Sequence, residues 1–217
     1  MQELVVLQRQ KLREHDWLLD VFTSKFGRMH IVLNRPTTPP DLFTLYRADW
    51  RPSDEWPQIK GWHIQKNWQL SETNLYCGLY LNELLVKLLP QHDAAEALFR
   101  FYQSAIEGLQ QHDIPDPWLR LFEWQLLQQL GYGFSWESDT NGNAISAYEH
   151  YAFVPSLGFI KQPEGFRGVD IMAFAEGARD LPLWRMARTI FRKALEDVLQ
   201  KPLCSRELLT GMNTTRA

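Results

Sequence analysis

The hydrophobic period of this chain changes near Leu70, and that change limits its architecture more than any other feature. Before it the apolar residues alternate. Trp17, Leu19 and Val21 fall on one side of Leu18, Asp20 and Phe22, and Met29, Ile31 and Leu33 alternate with His30 and Val32. Successive side chains of an extended strand point to opposite faces, so a period of two predicts strands. Thr23-Ser24-Lys25-Phe26-Gly27 separates two such runs, and a glycine in that connection predicts a hairpin with a longer loop or bulge. Between Asn34 and Asp41, Pro36, Pro39 and Pro40 remove backbone donors and end any ladder. Short runs at 42–46 and 59–64 complete a sheet of about five strands, which suits a small open barrel.

After Leu70 the period becomes helical. Residues 75–89 are apolar on most sides, as expected of a helix at the centre of a bundle, with Ser71, Thr73 or Asn74 as the cap. Asn82 and Glu83 then need partners, because an unpaired buried polar group costs about 1–3 kcal/mol. A second helix is expected from Asp93, with Glu96 completing a capping-box-like pair and Ala94, Ala97, Leu98, Phe101, Ala105 and Leu109 turned inward. A third opens at Asp116-Pro117, points Leu119, Phe122, Leu126, Leu127 and Leu130 inward, and ends at Gly131. Residues 134–168 mix Gly, Ser, Asn and Pro with strand fragments at 151–154 and 158–160, and read as an irregular insertion. Helical text resumes at 169–176 and 182–199, where Leu183, Met186, Ala187, Ile190, Ala194 and Val198 form one stripe. Arg185, Arg188 and Arg192 form another. The expected class is α+β: a small β-barrel over residues 1–70, then a helical bundle over 71–217.

Composition narrows the function. A chain of 217 residues, 45% hydrophobic, can bury a real core. It holds no run of the roughly 18–20 apolar residues that cross a bilayer, and its first residues lack the layout of a signal peptide, so it is expected to stay in the cytoplasm. The two cysteines, Cys77 and Cys204, supply neither a disulfide framework nor a spaced zinc-ligand set, and no cofactor is expected. No phosphate loop, nucleophile elbow or metal-binding helix is present. His15 beside Asp16, and Glu123 with His112, are the best acid–base candidates, and neither spacing requires an active site.

Charge is uneven along the chain. Residues 1–70 carry 10 basic and 8 acidic side chains (+2), residues 71–180 carry 6 and 15 (−9), and residues 181–217 carry 7 and 3 (+4). A polyanion should meet the two ends, although imbalances of this size also describe ordinary solvated surface. In the first region Arg9, Lys11, Arg13, Lys25, Arg28, Arg35, Lys60 and Lys66 accompany Phe26, Trp50, Trp56 and Trp62. Cations that neutralise phosphates beside rings that stack on bases form a single-stranded nucleic-acid surface. Burial in the core is the competing reading for each tryptophan.

Four motifs in register carry a family resemblance. The text from Leu75 to Leu85 (LYCGLYLNELL), Leu119-Arg120-Leu121-Phe122-Glu123 with Leu130-Gly131-Tyr132-Gly133, the ending Lys201-Pro202-Leu203-Cys204-Ser205-Arg206-Glu207-Leu208-Leu209, and Leu19-Asp20-Val21-Phe22-Thr23 with Gly27-Arg28 resemble the RecO family of bacterial DNA repair proteins over most of the chain. The resemblance implies an N-terminal OB-fold joined to a helical domain. It also implies a non-enzymatic mediator that binds single-stranded DNA, works with RecR to load RecA and anneals complementary strands. It further implies docking of the acidic, hydrophobic C-terminal tail of single-stranded DNA-binding protein (SSB) on the helical domain, with Arg120 as the candidate that grips it. Arg185, Arg188, Arg192, Lys201 and Arg206 extend that cationic surface by inference, and for Arg206 a pairing with Glu207 or a helix end competes.

Two departures from the family pattern stand out. The loop after the third strand, where relatives are rich in Lys and Arg, holds Arg35 alone. Residues 134–168 contain no cysteine, where many relatives carry a four-cysteine zinc module. Reduced DNA affinity and a metal-free insertion are the expectations. The competing function is an interaction scaffold that keeps SSB and RecR but binds DNA weakly or not at all.

Overall fold

The computed structural model describes residues 2–12, 14, 16–34, 38–51, 57–199 and 203–205. They divide into two compact units, residues 1–118 with 203–217, and residues 119–202.

The first unit opens with five strands: β1 (Gln2–Lys11), β2 (Asp16–Thr23), β3 (Gly27–Asn34), β4 (Thr44–Arg51) and β5 (Gln58–Asn67). They close in the order β1-β2-β3-β5-β4, the ring of a small OB-type barrel. Closure is uneven. β2 and β3 pair along their whole length, whereas among the described residues β3 pairs with β5 at Val32 opposite Gln58 alone. The alternation expected for β2 and β3 is present: Leu19, Val21, Met29, Ile31 and Leu33 share one core with Leu4, Val6, Tyr46 and Ala48. The turn between them is shorter than the five-residue stretch suggested, because Thr23 and Gly27 themselves pair, and Gly27 takes φ +66°.

Two helices complete this unit: α1 (Glu72–Leu88) and α2 (Glu96–Gln111). Ser71 caps α1 in position, but its side chain makes no capping bond. Gly78 lets the Phe43 ring approach, since a Cβ there would lie 2.7 Å from Phe43 Cε1. The start expected for α2 is corrected: the helix begins at Glu96, behind Ala95, with no side-chain cap, so Asp93 and Glu96 form no capping box. Its buried stripe is also rotated from the expected one. Leu98, Phe99, Tyr102, Ala105, Ile106 and Leu109 are inside, while Ala94 and Ala97 are exposed and Phe101 is 39% exposed. Phe99 sits inside because Phe22 of β2 meets it edge-on at 5.2 Å. The neighbour that helix has in space outweighs the local pattern.

The boundary between units falls within α3 (Asp116–Gln129), between Trp118 and Leu119. In the second unit α3 buries Leu119, Phe122, Leu126 and Leu127 as expected, and Gly131 leaves the helix at φ +80°. The insertion is ordered into β6 (His150–Val154), β7 (Gly158–Gln162) and β8 (Phe166–Arg167), with β6 central. Then come α4 (Gly168–Ala175) and α5 (Leu181–Val198). Asp180 caps α5 by accepting from Leu183 N at 3.0 Å. No helix among the described residues is long and apolar enough to cross a membrane.

Candidate functional site

A pocket of about 340 Å³ opens in the second unit. Four stretches of chain build it: Arg120, Leu121 and Trp124 from α3; residues 134–137 from the connection after α3; Phe174 and Ala175 from α4 with Arg179 just beyond; and Phe191 from α5. Its walls are rings. Trp136 lies 4.6 Å from Phe174 and 5.2 Å from Phe134, and Trp124 lies 5.0 Å from Phe134 and 6.0 Å from Phe191. Phe153 and Phe159, on β6 and β7, back Phe134 at 4.6 and 5.9 Å, so the insertion supplies the pocket's rear support. Ser135 shapes the rim, its hydroxyl accepting from Glu137 N and Ser138 N.

Two cations line this cavity and differ in state. Arg120 is only 6% exposed, and its Nη2 donates to Glu123 at 2.9 Å one helical turn away. Its Nε is buried with no hydrogen-bond partner among the described residues. Arg179 is exposed, with its Cζ over the Phe174 ring at 4.4 Å from the centroid and over that of Trp184 at 5.5 Å. Its Nη1 donates to Phe174 O at 2.6 Å and Ala178 O at 2.7 Å. Partial burial lowers its pKa by desolvation, yet an arginine stays charged at neutral pH.

Of the other residues expected to face a tail, the described ones, Arg185, Arg188 and Arg192, do not line the pocket. Arg185, Arg188 and Arg192 share the exposed face of α5, where Arg192 pairs with Glu196 at 2.8 Å. Lys201 and Arg206 lie outside the described residues.

On the barrel the described candidate cations differ in their surroundings. Lys11 and Lys25 are exposed. Arg9 Nη1 donates to Pro40 O at 2.9 Å. Arg28 is bound by Asp20, a buried carboxylate that accepts from its Nε at 2.9 Å and Nη2 at 2.7 Å, and its Nη1 reaches Leu89 O. Lys66 pairs with Glu107, whose carboxyl is held below its usual pKa by hydrogen bonds from Lys66 and Trp68. Arg13 and Arg35 lie outside the described residues, as do His15 and Trp56, and for Lys60 and Trp50 only the backbone is described. Phe26 is 44% exposed, whereas Trp62 is half-buried and stacked on Tyr46 at 5.0 Å.

Sequence reasoning missed the ring walls and Arg179. A signal existed for part of this. Arg120 and Trp124 stand four apart on one helix, so that pair shares a face.

The chain thus joins an OB-type barrel to helices and carries a cation-lined aromatic pocket in its second unit. The family described as "Recombination protein O C terminal" matches residues 71–207. The chain is 34% identical to the DNA repair protein RecO of Stutzerimonas stutzeri (strain A1501) over 223 residues, covering 97% of this chain and 94% of that one. It is similarly 34% identical to the DNA repair protein RecO of Idiomarina loihiensis over 228 residues, with 97% of each covered. It is 35% identical to that of Pseudomonas putida strain F1 over 219 residues, covering 95% and 96%. The chain belongs to the RecO family of DNA repair proteins.

Proposed function

We propose that this chain is a recombination mediator that acts by binding rather than by catalysis. In this reading the barrel region, residues 1–70, holds single-stranded DNA through Lys11, Lys25, Arg9 and the neighbouring cations, and the helical region, residues 71–217, receives the C-terminal tail of SSB. The protein then works with RecR to load RecA and anneals complementary strands in the cytoplasm at the nucleoid. The observation that carries the reading is the pocket: rings suited to an apolar side chain, with Arg120 and Arg179 suited to an acidic one, inside the segment that matches the family. Fluorescence anisotropy with a labelled SSB tail peptide tests it. Wild-type protein should bind the peptide and Arg120→Ala should weaken binding strongly. Unchanged binding in that variant would overturn the assignment.

A second reading, a scaffold that keeps SSB and RecR but has weak DNA binding, is favoured by a specific observation. Arg28 and Lys66, two of the cations expected to meet phosphate, are engaged by Asp20 and Glu107. A strand-annealing assay separates the readings: annealing supports the mediator, and tail binding without annealing supports the scaffold.

A further inference from the structure

We propose that Glu107 of α2 is an intramolecular competitor for phosphate: its carboxylate occupies Lys66 of β5 and must release it before the barrel can use that cation on a nucleic acid. This rests on the reading in which residues 1–70 hold single-stranded DNA, and it gives that surface an autoinhibitory contact. Two barrel cations meet carboxylates, and the two pairs differ in burial. The side chains of Arg28 and Asp20 are only 13% and 8% exposed and are joined through Nε and Nη2, so parting them would strand a charge away from water. Those of Lys66 and Glu107 are 45% and 31% exposed. An ion pair so open to water contributes little net stability and can exchange one partner for another. Arg28 is therefore structural, and Lys66 is exchangeable.

Glu107 is placed to let go. Trp68 Nε1 donates to its Oε2 at 2.8 Å and Gln111 Nε2 donates to its Oε1 at 2.7 Å, so the carboxylate keeps two donors when the ammonium leaves. Lys66 has a second support as well, since its Nζ lies 5.7 Å from the centroid of the Trp68 ring, and Trp68 is itself buried. Hydrogen bonds from Lys66 and Trp68 hold the Glu107 carboxyl below its usual pKa, which keeps it anionic at neutral pH. Around Lys66 the strand is open: His63, Ile64, Gln65 and Asn67 are exposed, Ile64 at 63%. A phosphate can therefore approach Lys66, but it meets Glu107 well inside the roughly 8–10 Å over which charges act at physiological salt. The carboxylate both withholds one phosphate contact and repels the strand that would make it.

The test uses the full chain and a labelled single-stranded oligothymidylate, with binding read by fluorescence anisotropy across a salt series. Glu107→Gln, which keeps an oxygen to accept from Trp68, should bind roughly 3- to 10-fold more tightly than the wild type at low salt. Its log affinity should also fall against log salt with a slope steeper by about 0.7, the value of one added single-strand phosphate contact. The slope does not depend on the folded fraction, so a less stable variant still gives an answer. Placed in a Lys66→Ala background, Glu107→Gln makes the same change of charge with no cation to release, and the gain should vanish. A gain that persists there reports general repulsion, and an affinity and slope unchanged by Glu107→Gln report no capture. Either result overturns the role of Glu107 while DNA binding by the barrel stands. Binding by Glu107→Gln alone supports the competitor and favours the scaffold reading for the intact chain. Binding by neither protein overturns both the competitor and the DNA reading on which it rests.

Discussion

Tyr102 Oη donates a 2.6 Å hydrogen bond to Asn82 Oδ1, joining α2 to α1 where both side chains are buried. Asn82 Nδ2 in turn donates to Leu7 O at 3.0 Å, so one asparagine connects both helices to β1. Burial pushes the Tyr102 hydroxyl's pKa up and keeps it a donor. Tyr102→Phe should therefore cost about 1–3 kcal/mol, because Asn82 Oδ1 loses this donor away from water. Urea denaturation gives the value, and an unchanged midpoint would remove this bond from the account of stability.

Glu83 makes the unit sensitive to acid. Its carboxylate accepts from Cys204 N at 2.8 Å, Ser205 N at 2.9 Å and the Ser205 hydroxyl at 2.6 Å, and pairs with Lys87 at 2.8 Å. Burial raises its pKa, but the bonds from Lys87, Ser205 and Cys204 outweigh that and hold it at about 2, below the ordinary 4.5. A folded pKa below the unfolded one contributes stability that is fully present above about 4.5 and is lost as pH falls towards 2. Thermal midpoints measured across that window should fall in the wild type and fall less in Glu83→Gln. Parallel curves for the two would show that Glu83 does not hold residues 203–205.

Gly27 should not accept a side chain. Its φ is +66°, and a Cβ would lie 1.8 Å from Asp93 O, in the segment where His92 N donates to Arg28 O. The left-handed conformation costs about 1–2 kcal/mol for other residues, and overpacking typically adds about 1–3 kcal/mol. Gly27→Ala should lower stability by at least about 2 kcal/mol in denaturant titration. A neutral result would mean that this contact is not close in solution.

Arg28 and Lys25 stand three residues apart and should separate cleanly by experiment. Removing Arg28 leaves Asp20, 6% exposed, without its bidentate partner, so Arg28→Ala should cost roughly 3 kcal/mol of stability. Lys25→Ala should change stability by less than about 0.5 kcal/mol. If the barrel binds DNA, it should also lower the slope of log affinity against log salt by about 1. Salt titration of oligonucleotide binding and urea melts of both variants decide it, and a reversed pattern would refute the assignment.

Much of the fold was legible because periodicity is local. The change near Leu70, the strands around Leu19 and Ile31, the inward stripe of α3 and the need of Asn82 for a partner all follow from spacing or from the chemistry of one side chain. The rotation of α2 was not legible, since Phe99 and Phe101 are equally apolar and only the position of Phe22 selects between them. Nor was the fate of Arg28, which as sequence is one basic residue among several and becomes structural because the pairing of β2 with β3 brings Asp20 beside it.

The pocket shows the same division. Arg120 could be singled out within its motif, but the walls come from residues as distant along the chain as Leu121 and Phe191, and no local pattern records that they converge. By itself, the sequence determined which segments extend and which coil, because those choices depend on neighbours one to four residues away. Only the tertiary structure decided which cations are occupied by carboxylates and which keep donors available, because burial and pairing depend on residues that meet in space alone.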